Sequence, residues 1–214
     1  MSSTNEKPME SQTTLVLPDE VFGDICEVVS RTEDGYETGV FLFGAAVGEH
    51  RVVLAIAGPG PRATHEPAHY SADNDYTSEV YNALRSALPS IKWLGELHVH
   101  PHGMTWLSGG DRRTVRQILE GGAADTARPR EFIAGVMQRR HAEVDIHPYY
   151  FGSATEGCKM RIERVPTDAE VVRSARLVAV QNRQALAPEH DTHSQREGNR
   201  ARDVRDGFSR SSLW

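Results

Sequence analysis

Two cysteines, Cys26 and Cys158, are all that the 214-residue chain contains, too few for a disulfide framework. Cys26 falls on the apolar side of an expected helix, where a buried, reduced thiol is the natural reading. Basic charge is also scarce: 24 Lys and Arg stand against 30 Asp and Glu, a net charge of −6. They form no dense stripe across the central region, so the basic surface that binds phosphates is missing and nucleic acid is not an expected partner. No apolar run approaches the ~20 residues of a membrane span. The opening MSSTNEKPMESQ is polar and lacks the apolar centre of a secretory signal. These absences leave an ordinary globular protein, expected in the cytoplasm without a membrane partner.

What is present suggests one domain between two polar ends. Residues 1–12 read as a flexible leader, 13–187 as the folded domain, and 188–214 as a disordered tail. The stretch EHDTHSQREGNRARDVRDG is nearly free of large apolar residues. Phe208, Leu213 and Trp214 restore apolar character at its end, as a segment that docks on the body or on a partner.

Within the domain, TTLVL (13–17) is strand-like, and Pro18-Asp19-Glu20 opens a helix with Val21, Phe22, Ile25, Val28 and Val29 on one face. Gly39 to Gly44 is apolar throughout and reads as a buried strand, with Arg51 to Ala57 its neighbour across a turn. The loop GPGPRATHEPAHY is too polar for a core element and too long for a simple turn, so it is a candidate wall of a site. A helix capped by Asp73 is expected over 73–88, a strand over Ile91–His100, and a helix over 109–120. Two strands, Phe132–Gln138 and Val144–Phe151, and a helix from Thr167 to Ala185 complete the plan. The fold class is α/β, a curved mixed sheet with helices on its flanks.

The stretch HVHPHGMTWLSGGD carries the chemistry. His98 and His100 are two apart on a strand, so both imidazoles point to one face. Pro101 cannot donate to a sheet ladder and ends the strand. Asp111 then falls in the first turn of the next helix, from which its carboxylate can return to the histidines. Two imidazoles and a carboxylate leave one position open on a metal, the pattern of catalytic zinc. Such an ion brings the pKa of its water to about 7. A carboxylate must still move the proton, and a donor must meet the oxyanion, a role for which Ser108 is well placed. Glu96, two residues before His98 on the same face, is the candidate base that spacing favours.

His98-X-His100-Pro101, six residues, then Ser108-X-X-Asp111 resembles the signature of the JAMM/MPN+ zinc metalloproteases. Upstream, Glu37-Thr38-Gly39-Val40-Phe41-Leu42-Phe43-Gly44 resembles that family's glutamate-bearing strand. The resemblance spans about residues 13–151. It implies an MPN/JAB-like, cytidine-deaminase-like architecture, with zinc on His98, His100 and Asp111. Glu37 is then the general acid/base, Ser108 the oxyanion donor, and Glu96 an orienting partner for a ligand imidazole. It also implies hydrolysis of the bond after the C-terminal Gly of a ubiquitin-like modifier. The partners would be that modifier or its conjugates and other members of a conjugation system. The compact form is most similar to prokaryotic stand-alone members.

A ubiquitin-like tail would bind by strand addition to an exposed edge, with residues 58–72 and 121–130 as candidate channel walls. His65, His69 and His102 read as solvated loop histidines within reach of substrate, and Trp106 as an aromatic that packs under the site in preference to meeting the substrate tail. Gly109-Gly110 is expected to allow close backbone approach at the helix start. The alternatives are a non-catalytic MPN scaffold and a metallohydrolase of small peptide or sulfur-carrier conjugates.

Overall fold

Strands β1 (Glu10–Pro18), β2 (Gly39–Val47), β3 (His50–Ala57), β6 (Lys92–Val99), β7 (Phe132–Arg140), β8 (Glu143–Phe151) and β9 (Cys158–Val165) hydrogen-bond in the order β1-β3-β2-β6-β7-β8-β9 and close into a barrel. A separate hairpin joins β4 (Thr64–Glu66) to β5 (His69–Ser71). The helices are α1 (Asp19–Arg31), α2 (Asn74–Ala87), α3 (Gly109–Glu120) and α4 (Glu170–Val180). This computed structural model describes residues 10–67, 69–100, 103–121, 129–140, 143–152 and 157–181. The expected tail 188–214, most of the leader, Pro101, His102 and most of the 121–130 wall lie outside these residues. No helix among the described residues is long and apolar enough to cross a membrane.

The strands bury side chains on both faces, which is why β2 reads as a continuous apolar run. One face is covered by α1: Val21, Ile25 and Val29 join Leu15, Val40, Leu42, Leu97 and Met137 in one buried cluster. On the other, Phe41, Phe43, Val172 and Ala175 pack with α2 and α4, while Val115 of α3 sits against Phe132 and Val136 of β7. Removing a side chain such as Ile25 from water contributes about 2 kcal/mol. The start of α1 has Asp19 and Glu20 in its first turn and no side-chain cap. At its other end Arg139 of β7 donates to the carbonyls of Val29 and Thr32 and pairs with Asp34, tying α1 to the sheet.

Three features depart from the expected plan. The mixed sheet closes, because β9 runs parallel to β1 from Glu10↔Lys159 to Pro18↔Val165. That partner extends β1 back to Glu10, inside the stretch expected to be a leader. The polar loop after β3 forms the β4–β5 hairpin, its foot fixed by Arg62, which donates through N and Nε to Asp73 Oδ2 at 3.2 and 3.0 Å. The same Asp73 caps α2 by accepting from the Tyr76 amide. Both cysteines are free. Cys26 is partly buried, and burial raises its thiol pKa.

A salt bridge spans one end of the barrel. Arg51 of β3 donates from Nε and Nη2 to the two oxygens of Glu131 at 2.9 and 2.7 Å, and Tyr150 of β8 donates to Glu131 Oε2 at 2.8 Å. Burial alone would raise the Glu131 pKa, but the bonds from Arg51 and Tyr150 bring it below the ordinary value. Its contribution is therefore complete above the unfolded pKa of about 4.3 and is lost as pH falls through the lower folded value. Glu131→Gln should destabilise the fold by about 1–3 kcal/mol at pH 7. Urea denaturation should show that deficit shrinking as pH is lowered towards about 3. An unchanged deficit would mean that Glu131 acts through packing instead of charge.

Candidate metal centre

A β-bulge sets the direction of the histidines. Leu94 and Leu97 are three residues apart, yet both lie in the α1-side cluster, which strict alternation forbids. The β2–β6 register skips Leu94, pairing Leu42 with Gly95 and Phe43 with Trp93. Gly95 has φ +154°, and a Cβ there would stand 1.9 Å from the Ile133 carbonyl oxygen, so only glycine fits. Past the bulge, Glu96 pairs laterally with Phe41 and Ala134, and His98 with Gly39 and Val136. These positions belong to the face that α3 covers.

Asp111 approaches from α3. Ser108 is the N-cap: its Oγ accepts from the Asp111 amide at 3.2 Å, while Asp111 Oδ2 accepts from the Ser108 amide at 2.6 Å, a reciprocal capping box. That box turns the carboxylate toward β6. Asp111 Oδ2 lies 3.6 Å from His98 Nε2 and 3.2 Å from His100 Nε2, and the two Nε2 atoms are 2.5 Å apart. All three residues are buried, and one donor atom from each falls within a 4.8 Å cluster.

The chemistry of this set fits a cation. Two imidazole nitrogens facing each other with lone pairs repel unless a proton or metal lies between them. Bonds of about 2.0–2.1 Å to tetrahedral zinc imply donor–donor edges of roughly 3.3 Å, close to both Asp–His distances, with the His–His edge tighter. Burial pushes the His98 pKa down, which favours the neutral imidazole that a metal requires. Burial alone would raise the Asp111 pKa, but the neighbouring His100 and His98 hold it far below the carboxylate range, so it stays an anion. Two imidazole nitrogens and one carboxylate oxygen suit zinc better than calcium or magnesium.

Glu37, one of the two candidate bases, is acted on electrostatically by this cluster. It immediately precedes Thr38, whose carbonyl accepts from the Val99 amide at 2.7 Å, so the β2–β6 pairing carries it to the mouth of the site. Its carboxyl is half-buried. Desolvation raises its pKa most, His100 and His69 lower it, and Asp111 raises it, so three groups at the site act on it. Glu96 is 2% exposed; burial, and after it the Glu96 charge, raises the pKa of Tyr70.

One expectation is corrected. Trp106 is 56% exposed instead of packed beneath the site, because its neighbour Leu107 takes the inward place against α3 and β7. A Cβ at Gly109 would meet nothing within 4 Å, whereas one at Gly110 would stand 3.3 Å from Ser108 Oγ. Tyr70 escaped attention at the sequence level. It lies over Gly39, where a Cβ would come within 2.8 Å of its ring, and only the folded hairpin brings it there.

No family model and no curated protein matches the chain. Among solved structures, the solution structure of protein DSY2949 from Desulfitobacterium hafniense is similar with a TM-score of 0.54 and 15% identity. The match covers 71% of this chain and 93% of that one, a likeness of fold.

The site predicts that purified protein supplied with zinc holds about one ion per chain, measured by mass spectrometry of metal content. His98→Ala/His100→Ala should hold none. A folded wild type that takes up no zinc would remove the metal centre.

Proposed function

We propose that the chain is a zinc-dependent isopeptidase or peptidase that hydrolyses the amide bond after the C-terminal Gly of a ubiquitin-like modifier, by deconjugation or precursor processing. The observation that carries this reading is the convergence of His98, His100 and Asp111 on one point, with the Glu37 carboxyl, just before β2, acted on by His100 and Asp111. The resemblance of these residues and of Ser108 to the JAMM/MPN+ signature supplies the substrate class. The finer fold reading, an MPN/JAB-like sheet, belongs to the same proposal, as does a cytoplasmic setting with other proteins of a conjugation system. A scaffold has no use for three buried donors and a matching acid, so their retention favours an enzyme.

His98, His100 and Asp111 would hold the ion. When bound, zinc supplies a Lewis acid that polarises a carbonyl and acidifies water. Glu37 takes the proton from the attacking water at a carboxylate oxygen. As the carbon–nitrogen bond breaks, it delivers that proton to the leaving amine nitrogen. Its partial burial suits the task, because desolvation moves a carboxyl pKa toward neutrality. Ser108 Oγ accepts from the Asp111 amide, which leaves its own proton to donate to the carbonyl oxygen as charge develops there. Exposed Trp106 offers apolar surface to an extended tail. Because the barrel is closed, the edge for strand addition is that of the β4–β5 hairpin beside Glu37.

The test is a panel of ubiquitin-like proteins, each joined through its C-terminal Gly to a fluorescent lysine peptide, run beside small amides with the same leaving group. Zinc-loaded wild type should release the fluorophore from at least one conjugate. Glu37→Gln should keep zinc and lose about 10²-fold or more in rate. Ser108→Ala should lose about 10²-fold. Cleavage of the small amides alone would transfer the activity to small conjugates. Full activity in Glu37→Gln would move the base role to Glu96.

A further inference from the structure

The β4–β5 hairpin holds the main chain of Glu37 on both sides of its peptide unit. The Glu37 amide donates to the carbonyl of Glu66 at 3.0 Å, and the Glu37 carbonyl lies 2.9 Å from His65 Nδ1. A carbonyl oxygen only accepts, so His65 Nδ1 must carry the hydrogen, which fixes the tautomer of a neutral ring. The Tyr70 ring stands 5.6 Å from that of His65, and its hydroxyl donates to Gly39 at 3.4 Å. The residues on either side of Thr38 are thus gripped by one three-plus-three-residue hairpin. The hairpin foot is in turn bolted to α2 through Arg62 and Asp73.

We propose that His65 is a positioning residue, donating from Nδ1 to the Glu37 carbonyl so that the Glu37 carboxyl keeps its aim at the donor cluster. The catalytic part rests on the reading of Glu37 as acid/base, whereas the clamp itself does not. A carboxylate that must meet a water and a leaving nitrogen tolerates little drift, and displacement by about 1 Å can cost about 10²-fold in rate. Glu37 precedes β2 and lacks the two-sided ladder of a strand interior, so something else has to fix its backbone. His65 and Glu66 together complete that hydrogen bonding.

The geometry distinguishes two conservative replacements. The amide nitrogen of asparagine is three bonds from Cα, as Nδ1 is, whereas that of glutamine is four bonds away, as Nε2 is. Amide hydrogen exchange followed by NMR on the full chain, with and without zinc, reads the clamp directly. His65→Ala and His65→Gln should speed exchange at Glu37 by about tenfold or more while Val136 of β7 keeps its protection, and His65→Asn should restore it. On any conjugate the wild type cleaves, Ala and Gln should lower kcat by about 10- to 100-fold with KM and zinc content little changed, and Asn should recover most of it. Asparagine behaving like alanine, or alanine like wild type, would overturn the proposal. Loss of clamping in the exchange data from a protein that cleaves no conjugate would instead overturn the proposed function and leave the clamp standing.

Discussion

The chemistry-bearing face of the sheet exists because Leu94 and Gly95 together stand opposite a single residue of β2. In an unbulged β6, Leu94 toward α1 would put Glu96, His98 and His100 on the same side, among the side chains that fill the space around α1. The extra residue reverses the phase. Leu97 and Val99 then supply the apolar contacts toward α1, and the polar residues emerge beneath α3. Burial of two imidazoles and a carboxylate is costly unless they are paired. The bulge gathers all three into one place where they satisfy each other or an ion, and keeps them out of the apolar interior.

Asp111 serves two systems with one carboxylate. As the N3 residue of α3 it closes the capping box with Ser108, at the end of the helix where an anion is favoured by the backbone dipoles. As a donor it faces both histidines through the same Oδ2. The start of α3 and the candidate metal centre are consequently one electrostatic unit, and the position of the third donor is set by helix geometry instead of by a mobile loop. Ser108 shares this arrangement, since the bond that caps the helix also orients the hydroxyl.

Much of this was legible in the chain. The spacing of His98 and His100, the Asp73 cap of α2 and the apolar stripe of α1 are local signals, and the structure has each where local rules put it. Glu37 is different. Spacing favoured Glu96, and only the resemblance to a known signature pointed upstream, because the approach of residue 37 to residue 100 is tertiary. The strand CKMRIERV was missed for a related reason. Its charged residues leave few apolar positions, and it is a strand because β1 lies alongside it. The clamp from His65 was equally invisible, since nothing in the loop composition says which carbonyl an imidazole will meet. Comparison with solved structures adds the fold and stops there.

The pairing of β1 with β9 has a temporal meaning. Pro18 and Val165 are partners although 147 residues separate them along the chain. The loop-closure entropy of so distant a contact must be paid before the contact contributes anything. On a chain emerging from the ribosome, every other barrel strand is available before β9, and the bulge, the histidines and the capping box are all encoded upstream of it. The local parts of the candidate metal centre can therefore form on an open sheet, and the ring that makes the domain whole is the last thing to shut.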